Sequence, residues 1–118
     1  MIEFSRRELH DILGWVFDAE DKILHQLRRG GLVNTMRHEC IEAVKKKVIV
    51  HTLHASKEQS NDEKLVAVEF SREELCFITE NARYHADLAM RRKFDLGDGE
   101  RAQKIYRKAF AAYSECAA

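Results

Sequence analysis

Six histidines, three cysteines and twenty carboxylates are the raw material for chemistry in this 118-residue chain, and their spacing decides which chemistry is open to them. Asp21 and His25 stand at i, i+4, and His51 and His54 at i, i+3, so on a helix each pair shares a face. His85 and Asp87 are too close in sequence to face one way on a helix. A dinuclear carboxylate bundle needs Glu-x-x-His on two helices with further glutamates facing inward, and the chain contains no Glu-x-x-His. The His-Glu-x-x-His of a metalloprotease is also missing. The histidines are expected on surfaces and at helix ends, with no metal and no other cofactor.

Nucleophile patterns are equally thin. Gly-x-Ser-x-Gly does not occur, and Cys40, two residues after His38, matches no catalytic arrangement. The stretch DLGDGE is short and acidic, unlike the glycine loops that cradle phosphate, and reads as a turn that caps the helix beginning at Asp98. Glu20 falls in the middle of an apolar helix face. It is either a buried acid with a raised pKa or, the preferred reading, the partner of a basic side chain on another helix. Spacing places no second acid beside it, so no catalytic residue is assigned and an enzyme is not the expected reading.

Three basic clusters remain: Arg28-Arg29, Lys45-Lys46-Lys47 and Arg91-Arg92-Lys93. The first and third stand at corresponding helix ends, where cations complement the helix dipole. If those ends come together, Arg28, Arg29, Arg91 and Arg92 form an anion site for nucleic acid or a nucleotide, although no nucleic-acid-binding motif accompanies them.

The elements that carry these residues are written in repeated signals. MIEFSRREL opens the chain and VEFSREEL returns later, with Glu3, Phe4, Ser5 and Arg6 matching Glu69, Phe70, Ser71 and Arg72 at an offset of 66. Glu8, Leu9, Ile12 and Asp21 match Glu74, Leu75, Ile78 and Asp87 at the same offset. Ser5 with Glu8, and Ser71 with Glu74, are capping boxes, and Phe4 and Phe70 stand where a hydrophobic staple packs against Leu9 and Leu75. Two good helix starts explain much of the likeness; ancestral duplication is the other explanation.

From these starts the expectation is a mainly α fold, two helical hairpins in a bundle-like arrangement, as a single domain over 1–118 with an internal repeat of 1–63 and 64–118. Helix one is expected from Ser5 to about Arg29, stopped by Gly30 and Gly31, with Leu9, Ile12, Leu13, Val16, Ile23, Leu24 and Leu27 on its apolar face. Helix two begins near Asn34 or Thr35 and carries Ile41, Val44 and Val48. The β-branched stretch Val48 to Leu53 either continues that helix or forms a strand. LVAVEF reads as a short extended segment, with IEF or VIVHTL as its strand partner, so a small β element formed by the segments preceding helices one and three belongs to the expectation. Helix three runs from Ser71 to about Lys93. Helix four runs from about Asp98 to Ser114, with Ala102, Ile105, Tyr106, Ala109, Phe110, Tyr113 and Cys116 on its apolar face.

Helix three bears two stripes. Leu75, Ile78, Ala82, Ala86 and Ala89 form one, and Phe77, Tyr84 and Leu88 form a second on the opposite side. A helix apolar on two faces is central in its own domain or shared with a partner. Phe77, Tyr84 and Leu88, joined by Trp15 on the polar side of helix one, are the expected partner-binding residues. Basic and acidic residues balance at twenty each, which leaves no global field for nucleic acid or membrane. No apolar run approaches the roughly 20 residues that span a bilayer, the N-terminus lacks the apolar core of a secretory signal, and three unpaired cysteines suit a reducing cytoplasm. The functional expectation is a small cytoplasmic regulatory protein acting through protein–protein interaction, as a homodimer or with another protein. In style it resembles bacterial and phage accessory proteins.

Overall fold

Each half of the chain is an extended lead-in, a capped helix and a second helix. The computed structural model describes residues 1–27, 32–54, 63–91 and 97–116, except for the side chains of 24–27, 32–36 and 53–54. Strand β1 (Ile2–Ser5) leads into α1 (Arg6–Leu27), followed by α2 (Leu32–His54). Strand β2 (Leu65–Val68) leads into α3 (Arg72–Met90), followed by α4 (Asp98–Cys116). Both helix starts are full capping boxes. The Ser5 amide donates to Glu8 Oε1 at 2.8 Å while the Glu8 amide donates to Ser5 Oγ at 3.1 Å; Ser71 and Glu74 repeat the exchange at 2.6 and 3.2 Å.

The two lead-ins are each other's strand partners. β1 and β2 pair antiparallel, with Ile2 opposite Val68, Glu3 opposite Ala67, Phe4 opposite Val66 and Ser5 opposite Leu65. Alternation sends Ile2, Phe4 and Val68 into the core and Glu3 and Ala67 outward. At the repeat offset of 66, Ile2 corresponds to Val68, so the end pair of the ladder joins a residue to its own counterpart. The sheet thus relates the halves by an approximate twofold. Phe4 and Phe70 meet edge to face at 6.3 Å beneath it.

The correspondence continues into the second helices, at an offset of 61. Ile41, Val44 and Val48 of α2 are buried, and so are Ala102, Ile105 and Ala109 of α4. Lys47 of α2 reaches Glu74 at 2.6 Å and lies over the Phe70 ring at 5.8 Å. Lys108 of α4 reaches Glu8 at 2.7 Å and lies over the Phe4 ring at 5.6 Å. In each half the second helix therefore clamps the buried capping glutamate that starts the other half's first helix. Local capping alone would not produce this exchange between the halves. One core, drawn from all six elements, closes beneath the sheet.

Packing decides three points that local signals left open or misplaced. Val48–Leu53 is helical: Val44, Val48 and Thr52 are buried at i, i+4 spacing, and burial at that period outweighs β-branched propensity. The same helix begins earlier than Asn34, at Leu32. On α4 the buried stripe is narrower than its apolar pattern, because Phe110 and Cys116 are exposed. The glycine stop at Gly30 and Gly31 lies outside the described residues, as does nearly all of the polar stretch after His54.

Candidate functional site: a groove between the first helices

The two hairpin-opening helices pass each other loosely and leave a groove. Trp15 of α1 meets His85 of α3, Ala19 and Lys22 of α1 line the same stretch of wall as Asn81, and Ile23 lies by Phe77. As α1 advances, α3 recedes, so the groove runs between antiparallel helices. It has two lobes that share Ala19, Lys22 and Asn81.

The first lobe has a volume of about 830 Å³ and is lined by Asp11, Trp15, Asp18, Asp21, Tyr84 and Leu88, among others. Trp15, a partner-binding candidate whose alternative place is the margin of the core, is only 8% exposed. Its indole stacks on the His85 ring at 5.0 Å and 8° between planes, which buries a position that lies off the apolar face of α1. Tyr84 is 54% exposed, stands edge-on to His85 at 5.2 Å and carries the Lys22 ammonium over its ring at 5.6 Å. Four aspartates face this lobe. Asp11 and Asp98 are drawn together by Arg101, which donates to Asp11 at 2.8 Å and also bonds Asp98. The hydrogen bond to Asp11, and then the charge of Asp98, raise the Arg101 pKa further. Gly97, in the left-handed region at φ 89°, makes the turn that delivers Asp98 to the start of α4. Asp18 and Asp21 are exposed and make no ion pair with any described residue.

The second lobe, of about 780 Å³, gathers all four helices and is mostly apolar. Ile23, Cys40, Ile41, Cys76, Phe77 and Tyr113 line it. Its rim mixes signs, with Arg37 and Arg72 set against Glu73 and Glu80. Arg72 lies over the Tyr113 ring at 5.1 Å. Burial, then the charge of Glu74, pushes the Cys40 thiol up to about 11. Burial also raises Cys76, with Glu80 beside it adding to the effect. Both thiols are thus neutral near pH 7 and behave as small apolar groups. In labelling with Ellman's reagent at pH 8, Cys40 is expected to react about a hundredfold more slowly than an ordinary thiol, and exposed Cys116 first. Equal rates at all three cysteines would show that the lobe is open to water throughout.

The remaining sequence candidates fall elsewhere. Glu20 pairs with Lys45 of α2 at 3.0 Å, and that hydrogen bond lowers its pKa, so the alternative of a buried acid with a raised pKa falls away. Among the described residues no group of three or more His, Cys, Asp or Glu is placed to hold a metal ion. Of the arginines proposed for anions, Arg91 is exposed after α3, while Arg28, Arg29 and Arg92 lie outside the described residues. No described helix is long and apolar enough to cross a membrane.

The groove itself was half legible. Phe77, Tyr84 and Leu88 were readable from α3 as a second stripe. The contributions of α1 and α2 were not, because nothing local says which helices stand loosely apart. In comparisons with known protein families, with characterised proteins and with solved structures, no match to this chain was found.

Proposed function

We propose that this protein works by binding another polypeptide chain in the groove between α1 and α3. The observation that carries the reading is the second stripe of α3: exposed Tyr84 and half-buried Leu88 and Phe77, the last packed against the core on one side, form one wall of a continuous groove. Grooves between helices that join apolar and charged walls are the usual seats for partner helices, and aromatic side chains are the usual anchors. Tyr84 stands where the groove is most accessible and is the residue on which the reading rests.

A photo-crosslinking benzophenone residue placed at position 84 tests it in living cells, with position 50 as the control. Val50, 52% exposed on α2, is as accessible as Tyr84 but lies away from the groove. A discrete protein adduct from position 84, absent from position 50, is the expected result. Tyr84→Glu is expected to leave thermal unfolding within about 0.5 kcal/mol of the parent, as for other exposed positions, while abolishing the interaction. If Tyr84→Glu unfolds the chain, or if both crosslinker positions give the same products, the reading falls.

A further inference from the structure

The two lobes occupy equivalent places in a duplicated scaffold, yet they are built differently. At the offset of 66, Trp15 corresponds to Asn81 and Ala19 to His85. The Trp15–His85 stack therefore has as its counterpart the pair Asn81 and Ala19, which line the groove with far less bulk. One lobe is walled by two stacked rings and aspartates; the other is mostly apolar and lined by neutral thiols. Charge divides the same way. The first lobe is faced by Asp11, Asp18, Asp21 and Asp98 against Lys22, with His10 and His85 as its titratable neighbours. The rim of the second lobe mixes Lys22, Arg37 and Arg72 with Glu73 and Glu80 and so favours neither sign.

We infer that the occupant is an amphipathic helix of a partner protein, with an apolar side chain seated in the second lobe against Cys76 and Phe77 and with lysine or arginine side chains facing Asp18 and Asp21. This rests on the protein-binding reading above and narrows it. The wall of α1 from His10 to Ile23 is about 20 Å long at 1.5 Å per residue, room for three to four turns of a docked helix. Charge complementarity selects a basic segment, because four aspartates face this lobe against one lysine, and the solvent-facing carboxylates Asp18 and Asp21, one turn apart, make no ion pair with any described residue.

The test uses a display library of single amphipathic helices, randomised on their surface positions and selected against the full chain. Recovered helices are expected to be rich in lysine and arginine. A synthetic peptide of the best sequence should lose at least tenfold in affinity against Asp18→Lys/Asp21→Lys, and its binding to the parent should weaken as salt rises. Cys76→Trp, which fills the second lobe, should abolish binding; Cys76→Met serves if the tryptophan variant does not fold by circular dichroism. Three results overturn the inference: no helix recovered, a recovered helix indifferent to both sets of variants, or a native mass spectrum in which a second copy of this chain occupies the groove. If position 84 still crosslinks a partner in cells, the protein-binding reading survives that failure; if it does not, both go.

Discussion

Phe4→Ala is expected to cost about 3–5 kcal/mol, the range for truncating a fully buried phenylalanine, and for a domain of this size that is a large share of the whole. Phe4 is completely buried and works at three levels. It packs at the start of α1, it lies on the inner face of the β1–β2 ladder opposite Val66, and its ring takes the edge contact from Phe70. It is also the ring under Lys108. Phe70→Ala should behave as its counterpart, with a somewhat smaller loss because Phe70 retains slight exposure. A double-mutant cycle should return a coupling of about 0.5–1.5 kcal/mol for the ring pair, since each truncation already removes the contact. Urea denaturation of the four proteins checks this. A loss below about 1 kcal/mol for Phe4→Ala, far under the usual range, would mean that the sheet does not tie the hairpins together.

The second large effect concerns Lys47. Glu74 is a buried carboxylate, its side chain only 5% exposed. Burial, the strongest influence on it, would raise its pKa; the hydrogen bonds from Lys47 and Ser71 outweigh burial and hold it below the usual value. Lys47→Met removes the ammonium and leaves the carboxylate with the Ser71 amide alone among these donors. At pH 7 the expected loss is about 1–3 kcal/mol; the partial exposure of Lys47 keeps it towards the lower part of that range.

The pH dependence follows from the sign of the shift. A carboxylate whose folded pKa is depressed stabilises the fold above its unfolded pKa, about 4.3, and that contribution is lost as pH falls through the folded value. The gap between parent and Lys47→Met should therefore be widest at neutral pH and close in acid, once Glu74 is protonated in both. Urea midpoints at neutral and acid pH decide it. A gap that persists unchanged in acid would assign the role of Lys47 to its packing over Phe70 rather than to its charge.

Both predictions depend on contacts between the halves, and there the limits of reading the chain directly become clear. Ser5–Glu8 and Ser71–Glu74 were visible because a capping box is complete within four residues. The lysines that clamp the same glutamates were not, because Lys47 and Lys108 reach them from other helices and no spacing rule connects the pairs. The repeat was visible in its first helices, where sequence matches survive. In the second helices the pattern of burial matches, with Ile41, Val44 and Val48 standing where Ala102, Ile105 and Ala109 stand, and Lys47 stands where Lys108 stands.

By itself the sequence determined where α1, α3 and α4 start, that there are two hairpins, that extended lead-ins precede α1 and α3, and that α3 bears a second apolar stripe. These follow from interactions within a few residues: caps, turns and the helical period. Tertiary structure decided the rest. It paired the lead-ins with each other, kept Val48–Leu53 helical, buried Trp15 against His85 and paired Glu20 with Lys45. It also set α1 and α3 apart by the width of a groove. The physical reason is common to all of these. Each depends on which surfaces meet when helices pack, and that choice is made by the summed burial of the whole core, which no single stretch of sequence contains.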